Sequence, residues 1–342
     1  MNKPSQKIRR RPSGIAIVSY AIVVAAIVGT IRMTIRPLSA APLGTIVRAT
    51  STPTAGAYSN PVIDSNFPDP CILNDGNAYY AYATNSGPNM PARWSTDLTH
   101  WSPLPDAMPT LPAWAKPGRT WAPDVIAIKH SKKYVAYFAA WDRQTDKQAV
   151  GAAFSTSPAG PFVATDAPLV EQPEIGGAID PSCFVTSKGD RYLLWKNDGN
   201  SMKLDTWIWI QKLSVDGLSL VGDPIKLIKQ DQSWEWVLIE APTLWEHDGK
   251  FYLFYSANYY GNCNYAVGYA VAPSLFGPYQ KSANNPWLSQ SNDGCGPGGE
   301  DIVRASDGST WMSYHTWVKG PGSYRGMSIK RLDWDGDVPV LR

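Results

Sequence analysis

DGNAYYAYAT, residues 75–84, is a turn followed by alternating aromatic residues, and the pattern recurs four more times along the chain. The later copies are HSKKYVAYFA (130–139), GDRYLLWKN (189–197), DGKFYLFYSA (248–257) and DGSTWMSYHT (307–316). Their corresponding aromatic residues, Tyr79, Tyr134, Tyr192, Tyr252 and Trp311, are spaced by 55, 58, 60 and 59 residues. Asp-Gly or a polar substitute ahead of a β-branched or aromatic run marks a hairpin.

Other elements keep the same beat on either side of each turn. Upstream come PDPCIL (68–73), APDVIAI (122–128), IDPSCFV (179–185), EAPTLWE (240–246) and GEDIVRA (299–305). Downstream come ARWSTD, AAFSTS, IWIQKLS, VGYAVA and MSIKRLD, then a short fourth run such as HWSPL or GPFVAT. Four strands per unit and five units, with no sustained helical period, predict an all-β fold. It is a five-bladed β-propeller, with four-stranded antiparallel blades around a central channel. One blade cannot bury both of its faces, whereas a ring of blades buries each against its neighbours. A β-sandwich of this size would not demand so regular a beat.

The repeats assign residues 60–342 to a single propeller domain. Residues 1–57 carry eight Lys or Arg and no acid, so 23 bases remain against all 29 acids in the body. An acidic body without basic runs argues against nucleic acid as a partner. At the N-terminus, Arg9-Arg10-Arg11 precede an uncharged apolar stretch from Gly14 to Ile31. This identifies residues 1–41 as a signal peptide or an N-terminal membrane anchor, the second through a single span at 14–31. Ser39-Ala40-Ala41 offers a small-residue cleavage site. Residues 42–59, rich in Pro, Thr, Ala, Ser and Gly, read as a flexible linker. Either reading of the leader exports the body, to the extracellular space or to the outer face of the plasma membrane. Four cysteines suit that compartment. Cys263 and Cys295, in Gly/Asn-rich sequence, are a candidate disulfide, whereas Cys71 and Cys183 lie in apolar runs and read as buried thiols.

Each unit places an acid near the start of its first strand: Asp69, Asp124, Asp180, Glu240, and Glu300 or Asp301. In a propeller the first strands line the axis, so these carboxylates are expected in register at one mouth of the channel. Crowded carboxylates cannot all ionise at ordinary pH. An isolated Asp beside Pro only shapes a turn; five at one beat argue for chemistry. Asp124 and Asp301 are expected to tie loops together through backbone N–H groups. Trp121 and Trp141 flank the expected mouth and are candidate substrate contacts through their aromatic faces.

The strings Phe67-Pro68-Asp69-Pro70, Trp121-Ala122-Pro123-Asp124-Val125, Ile179-Asp180-Pro181-Ser182 and Ile239-Glu240-Ala241-Pro242 resemble, in motif and order, glycoside hydrolase family 43. The resemblance covers residues 60–342 and implies an enzyme of plant cell-wall carbohydrate, acting by inversion. It implies Asp69 as general base, Glu240 as general acid, and Asp180 as the group that orients the acid and raises its pKa. An inverting pair stands about 6.5–9.5 Å apart to admit a water. The resemblance also gives Arg325 and Phe67 as substrate-binding residues. His315 is similar to an axial His near a metal ion, often calcium; the alternative is a hydrogen-bonded strand His. No cofactor is implied as required, and a structural calcium at the axis is the one metal implied. Gly296-Pro297-Gly298-Gly299 departs from the pattern, having Gly where endo-acting arabinanases tend to carry His. The favoured substrates are α-L-arabinofuranosides. The rivals are β-xylosides with the same carboxylates and a non-catalytic carbohydrate-binding propeller. Oligomeric state is not legible.

Overall fold

The computed structural model describes residues 58–128, 131 and 133–342. The expected leader (1–41) and all of the expected linker except Tyr58 and Ser59 lie outside the described residues. No helix among the described residues is long and apolar enough to cross a membrane.

Among the described residues, twenty strands form five four-stranded antiparallel sheets, each built from consecutive strands. Blade 1 is β1 (Cys71–Asn74), β2 (Tyr79–Tyr82), β3 (Ala92–Ser95) and β4 (Ser102–Pro103). Blade 2 is β5 (Ala115–Ile128), β6 (Lys133–Asp142), β7 (Gln148–Ser155) and β8 (Val163–Ala164). Blade 3 is β9 (Ala178–Val185), β10 (Arg191–Asn197), β11 (Trp207–Leu213) and β12 (Leu220–Lys229). Blade 4 is β13 (Ile239–His247), β14 (Lys250–Ala257), β15 (Ala266–Ala272) and β16 (Gln280–Lys281). Blade 5 is β17 (Cys295–Arg304), β18 (Thr310–Trp317), β19 (Arg325–Asp335) and β20 (Val338–Leu341). The architecture is the expected five-bladed propeller.

The aromatic second strands explain the ring. Side chains alternate between the faces of a strand, and here both faces are dry. On β14, Tyr252 and Phe254 enter the apolar cluster shared with blade 5, while Leu253 and Tyr255 enter the one shared with blade 3. On β6, Val135 and Tyr137 face blade 3, and Ala136 and Phe138 face blade 1. Each fully buried Phe or Leu contributes about 1.5–3 kcal/mol relative to exposure, so the repeated second strand supplies much of the cohesion between blades. Blades 5 and 1 close the ring without a covalent strand exchange. Ile63 and Met327 trade backbone hydrogen bonds of 3.2 and 3.1 Å, and Ile63, Phe67, Trp311 and Ile329 share one cluster. Tyr58 packs edge-on against Trp311, so the packed body includes residues before the expected boundary at 60.

The acids do not share a register, contrary to expectation. The first strands of blades 2 to 5 break register with their partners beside these acids. One residue per blade takes positive φ at the equivalent point: Asp69 (51°), Ala122 (43°), Asp180 (53°), Ala241 (51°) and Gly299 (58°). Asp69 and Asp180 occupy this bulge position itself. Glu240 precedes it by one residue, Glu300 follows it by one, and Asp124 and Asp301 follow it by two. A bulge re-aims side chains and concentrates near functional sites. For the non-glycine residues the backbone costs of order 1–3 kcal/mol each, and neighbouring blades help to hold it. Ala122 N–H donates to Thr84 Oγ1 (2.8 Å), Ala241 N–H to Asp180 Oδ2 (3.0 Å) and Gly299 N–H to Ser256 Oγ (2.9 Å).

Candidate active site

The three bulge-region acids Asp69, Asp180 and Glu240 open onto one cavity of about 350 Å³ at the N-terminal ends of the first strands. Thr84, Trp121, Lys196, Tyr259, Tyr260, Tyr265 and Arg325 also line it. The opposite mouth opens into a larger funnel of about 1070 Å³, which reaches Asp124 and Asp301 but none of these three acids. Size therefore does not identify the site here; convergent titratable groups do.

Asp69 is held as a carboxylate. Its Oδ1 lies 3.2 Å from Arg325 Nη1 and 3.1 Å from His315 Nδ1, and Oδ2 accepts from Thr84 Oγ1 at 2.6 Å. Burial alone would push its pKa up, but the Arg325 charge and the His315 and Thr84 hydrogen bonds outweigh it and hold the carboxyl well below the usual range. Burial and the neighbouring Arg325 keep His315 neutral by lowering its pKa. Asp69 N–H donates to His315 Nδ1 at 3.2 Å, and Arg325 Nη1 lies 3.5 Å from His315 Nε2. Arg325 is itself stacked between Tyr260 (5.1 Å) and Trp317 (5.9 Å).

Glu240 faces a different environment. Its Oε1 accepts from Tyr265 O–H at 2.9 Å and its Oε2 from Lys196 Nζ at 3.1 Å. Burial, then the adjacent Glu240 charge, raise Asp180 well above the ordinary carboxyl range, against the pull of Lys196. Asp180 therefore keeps its proton to higher pH than an isolated carboxyl. Burial pushes the Lys196 pKa down, but Glu240, Asp198 and Asp180 outweigh it, so the ammonium stays charged although only 1% exposed. Tyr265, buried and beside Glu240, is pushed up and remains a phenol donor.

The remaining acids work inside the fold. Asp124 accepts the Cys183 N–H of blade 3 and Asp301 the Ile72 N–H of blade 1, so they tie strands rather than loops. Burial and the nearby Asp301 charge raise Asp124 to about 8, and burial raises Asp301 to about 6. Glu300, 4% exposed, accepts from Ser256 O–H at 2.6 Å, and burial raises it to about 8.

Two proposed sugar contacts are displaced. Phe67 is 1% exposed and lies in the cluster between blades 5 and 1, so it is core and not a substrate contact. Trp141 lies outside the cavity lining, with Arg119 4.1 Å over its ring and its Nε1–H on Asp146. Trp121 lines the cavity as expected. The residues around His315 do not fit a cation: both ring nitrogens are engaged and one faces a guanidinium. No group of three or more His, Cys, Asp or Glu able to hold a metal ion occurs among the described residues.

Sequence reasoning missed Lys196 and Tyr265. Lys196 ends the unbroken apolar run Tyr192-Leu193-Leu194-Trp195, where a Lys has to be buried and therefore paired. The Gly-rich departure has a steric cause. A Cβ on Gly298 would meet Tyr265 at 2.1 Å, and one on Gly299 would meet Asp69 Oδ1 at 2.6 Å. Cys263 and Cys295 form the expected disulfide, joining the loop after β14 to the start of β17. Cys71 and Cys183 are free thiols.

The family profile described as "Glycosyl hydrolases family 43" matches residues 58–339. A "Xylosidase/arabinosidase" of Butyrivibrio fibrisolvens is 25% identical over 305 residues, covering 83% of this chain and 56% of that protein. This chain thus spans little more than half of that relative's length. An "Extracellular endo-alpha-(1->5)-L-arabinanase 1" of Bacillus subtilis (strain 168) is 23% identical over 292 residues, covering 79% of this chain and 86% of that one. The crystal structure of a thermostable family-43 glycoside hydrolase superposes with a TM-score of 0.75 at 31% identity, covering 83% of this chain and 96% of that one.

Proposed function

Because this chain belongs to glycosyl hydrolases family 43, we propose that it is an inverting glycosidase of plant cell-wall polysaccharide or oligosaccharide, acting first on α-L-arabinofuranosides. The observation that carries this reading is the contrast across one cavity. Asp69 is held ionised by Arg325, His315 and Thr84, whereas burial and the adjacent Glu240 charge keep Asp180 protonated. Inversion needs that division of labour: a base to take a proton from water and an acid to give one to the leaving oxygen. Glu240 is the acid, its carboxyl oriented by Tyr265 and Lys196. Asp69 is the base. Asp180 keeps the proton on its side of the cavity and fixes the bulge of blade 4 through Ala241 N–H. Trp121 and Arg325 contact the sugar.

A second substrate class, β-xylosides, draws support from the relative whose name joins xylosidase to arabinosidase. The place of action is outside the cell, either secreted or held at the outer face of the plasma membrane. The basic, apolar leader and the extracellular relative support that assignment. The test is release of phenol from aryl α-L-arabinofuranoside and aryl β-D-xyloside by the wild-type protein and by Glu240→Ala. Release from the arabinoside by wild type alone is expected. Equal release by Glu240→Ala would remove the residue from its role, and release from neither substrate would overturn this substrate assignment.

A further inference from the structure

Lys196 sits on the second strand of blade 3, 1% exposed, with Nζ 3.1 Å from both Glu240 Oε2 and Asp198 Oδ1. Burying an ammonium is costly, and an apolar residue of like size commonly serves stability as well or better. The position of this cation is better matched to a charge that appears during reaction. Glu240 is met by donors on both oxygens, Tyr265 O–H on Oε1 and Lys196 Nζ on Oε2. Lysine has no acceptor, so this pair of donors fits the carboxylate of Glu240 better than its protonated carboxyl. Groups aimed at charge that develops in the transition state contribute to rate rather than to ground-state binding. Asp198 holds the ammonium from the other side, and its own backbone is fixed by the hydrogen bond from Asp198 N–H to Gly177 O at 2.9 Å.

We propose that Lys196 is a positioning residue that stabilises the charge left on Glu240 as its proton departs, an inference that rests on the glycosidase reading above. The Glu240 O–H bond breaks as the proton passes to the glycosidic oxygen. The bond from that oxygen to the anomeric carbon breaks, its electron pair leaving with the alcohol. Water attacks the opposite face and gives its proton to Asp69. The carboxylate formed on Glu240 then lies against an ammonium already in place.

The need for this charge scales with how much protonation the leaving group requires. The test compares kcat/KM for dinitrophenyl and methyl α-L-arabinofuranoside in wild type, Lys196→Met, Lys196→Arg and Asp198→Asn. Lys196→Met is expected to lose about 100-fold or more on the methyl glycoside, the scale of general acid catalysis, and only a few-fold on the dinitrophenyl one. Lys196→Arg keeps the cation and should recover most of the ratio between substrates. Asp198→Asn, which leaves the ammonium with one carboxylate, should lose the ratio in smaller measure. The ratio is taken within one preparation, so incomplete folding scales both rates alike. Equal losses on both substrates in Lys196→Met, or in Asp198→Asn if the first variant does not fold, would overturn the assignment. Wild-type protein that cleaves neither glycoside would instead count against the arabinosidase reading.

Discussion

Tyr265 and His315 lie ring on ring, with centroids 5.8 Å apart and planes 9° from parallel. Tyr265 is hydrogen bonded to Glu240, and His315 to Asp69, so the stack couples the two sides of the proposed reaction. Both rings are buried, and Gly298 leaves room for Tyr265 where any Cβ would collide with it.

Tyr265→Phe keeps the stack and removes one donor from Glu240. Hydrogen bonds to charged groups contribute about 1.5–3 kcal/mol, which corresponds to roughly ten- to a hundredfold in rate. We expect kcat to fall within that range, KM to change little, and the unfolding midpoint to stay close to wild type. Steady-state kinetics with a thermal melt on the same preparation check this.

Arg325→Gln removes the cation that most strongly opposes burial at Asp69. Loss of positive charge favours the protonated base, so the acidic limb of the kcat/KM profile should move to higher pH. Measured pH–rate profiles decide this, and a limb that stays in place would show that Arg325 does not set the ionisation of Asp69. Arg325→Lys should fall between the two, since an ammonium keeps the charge but loses the planar stacking on Tyr260 and Trp317.

Glu300 makes stability depend on pH. Its pKa is raised by burial from 4.5 to about 8, so between these values the folded state holds a proton that the unfolded chain has released. Stability must then fall as pH rises through this window. Asp124 and Asp301 act in the same direction. Glu300→Gln, which preserves an acceptor for Ser256, should flatten the decline in Tm between pH 5 and 8, by about 2–4 °C per kcal/mol recovered. Melts across that range test it; parallel wild-type and variant curves would contradict it.

The fold was legible because the aromatic second strand repeats with little drift, and two-sided burial demands that repeat. Phe251-Tyr252-Leu253-Phe254-Tyr255 has no polar face because it has no wet face. The identities of Asp69, Asp180 and Glu240 were legible through their Pro-flanked strings. Their registers were not: the positive-φ residues at Asp69, Ala122, Asp180, Ala241 and Gly299 shift alternation locally, and strand periodicity assumes there is no shift. The resemblance implies Phe67 as a sugar contact, but its side chain is buried in the seam between blades 5 and 1. Trp141 flanks the expected mouth in sequence, but Arg119 covers its ring. Tyr265 precedes β15 by one residue, and its bond to Glu240 across blade 4 depends on the room that Gly298 leaves for its ring.

Inversion by Asp69 and Glu240 is the central claim, and the configuration of the first-formed sugar tests it most directly. Proton NMR of the reaction, recorded before mutarotation, should show the anomer opposite to that of the substrate. Appearance of the same anomer would contradict the account, because Asp69 would then have to act as a nucleophile rather than as the base for water.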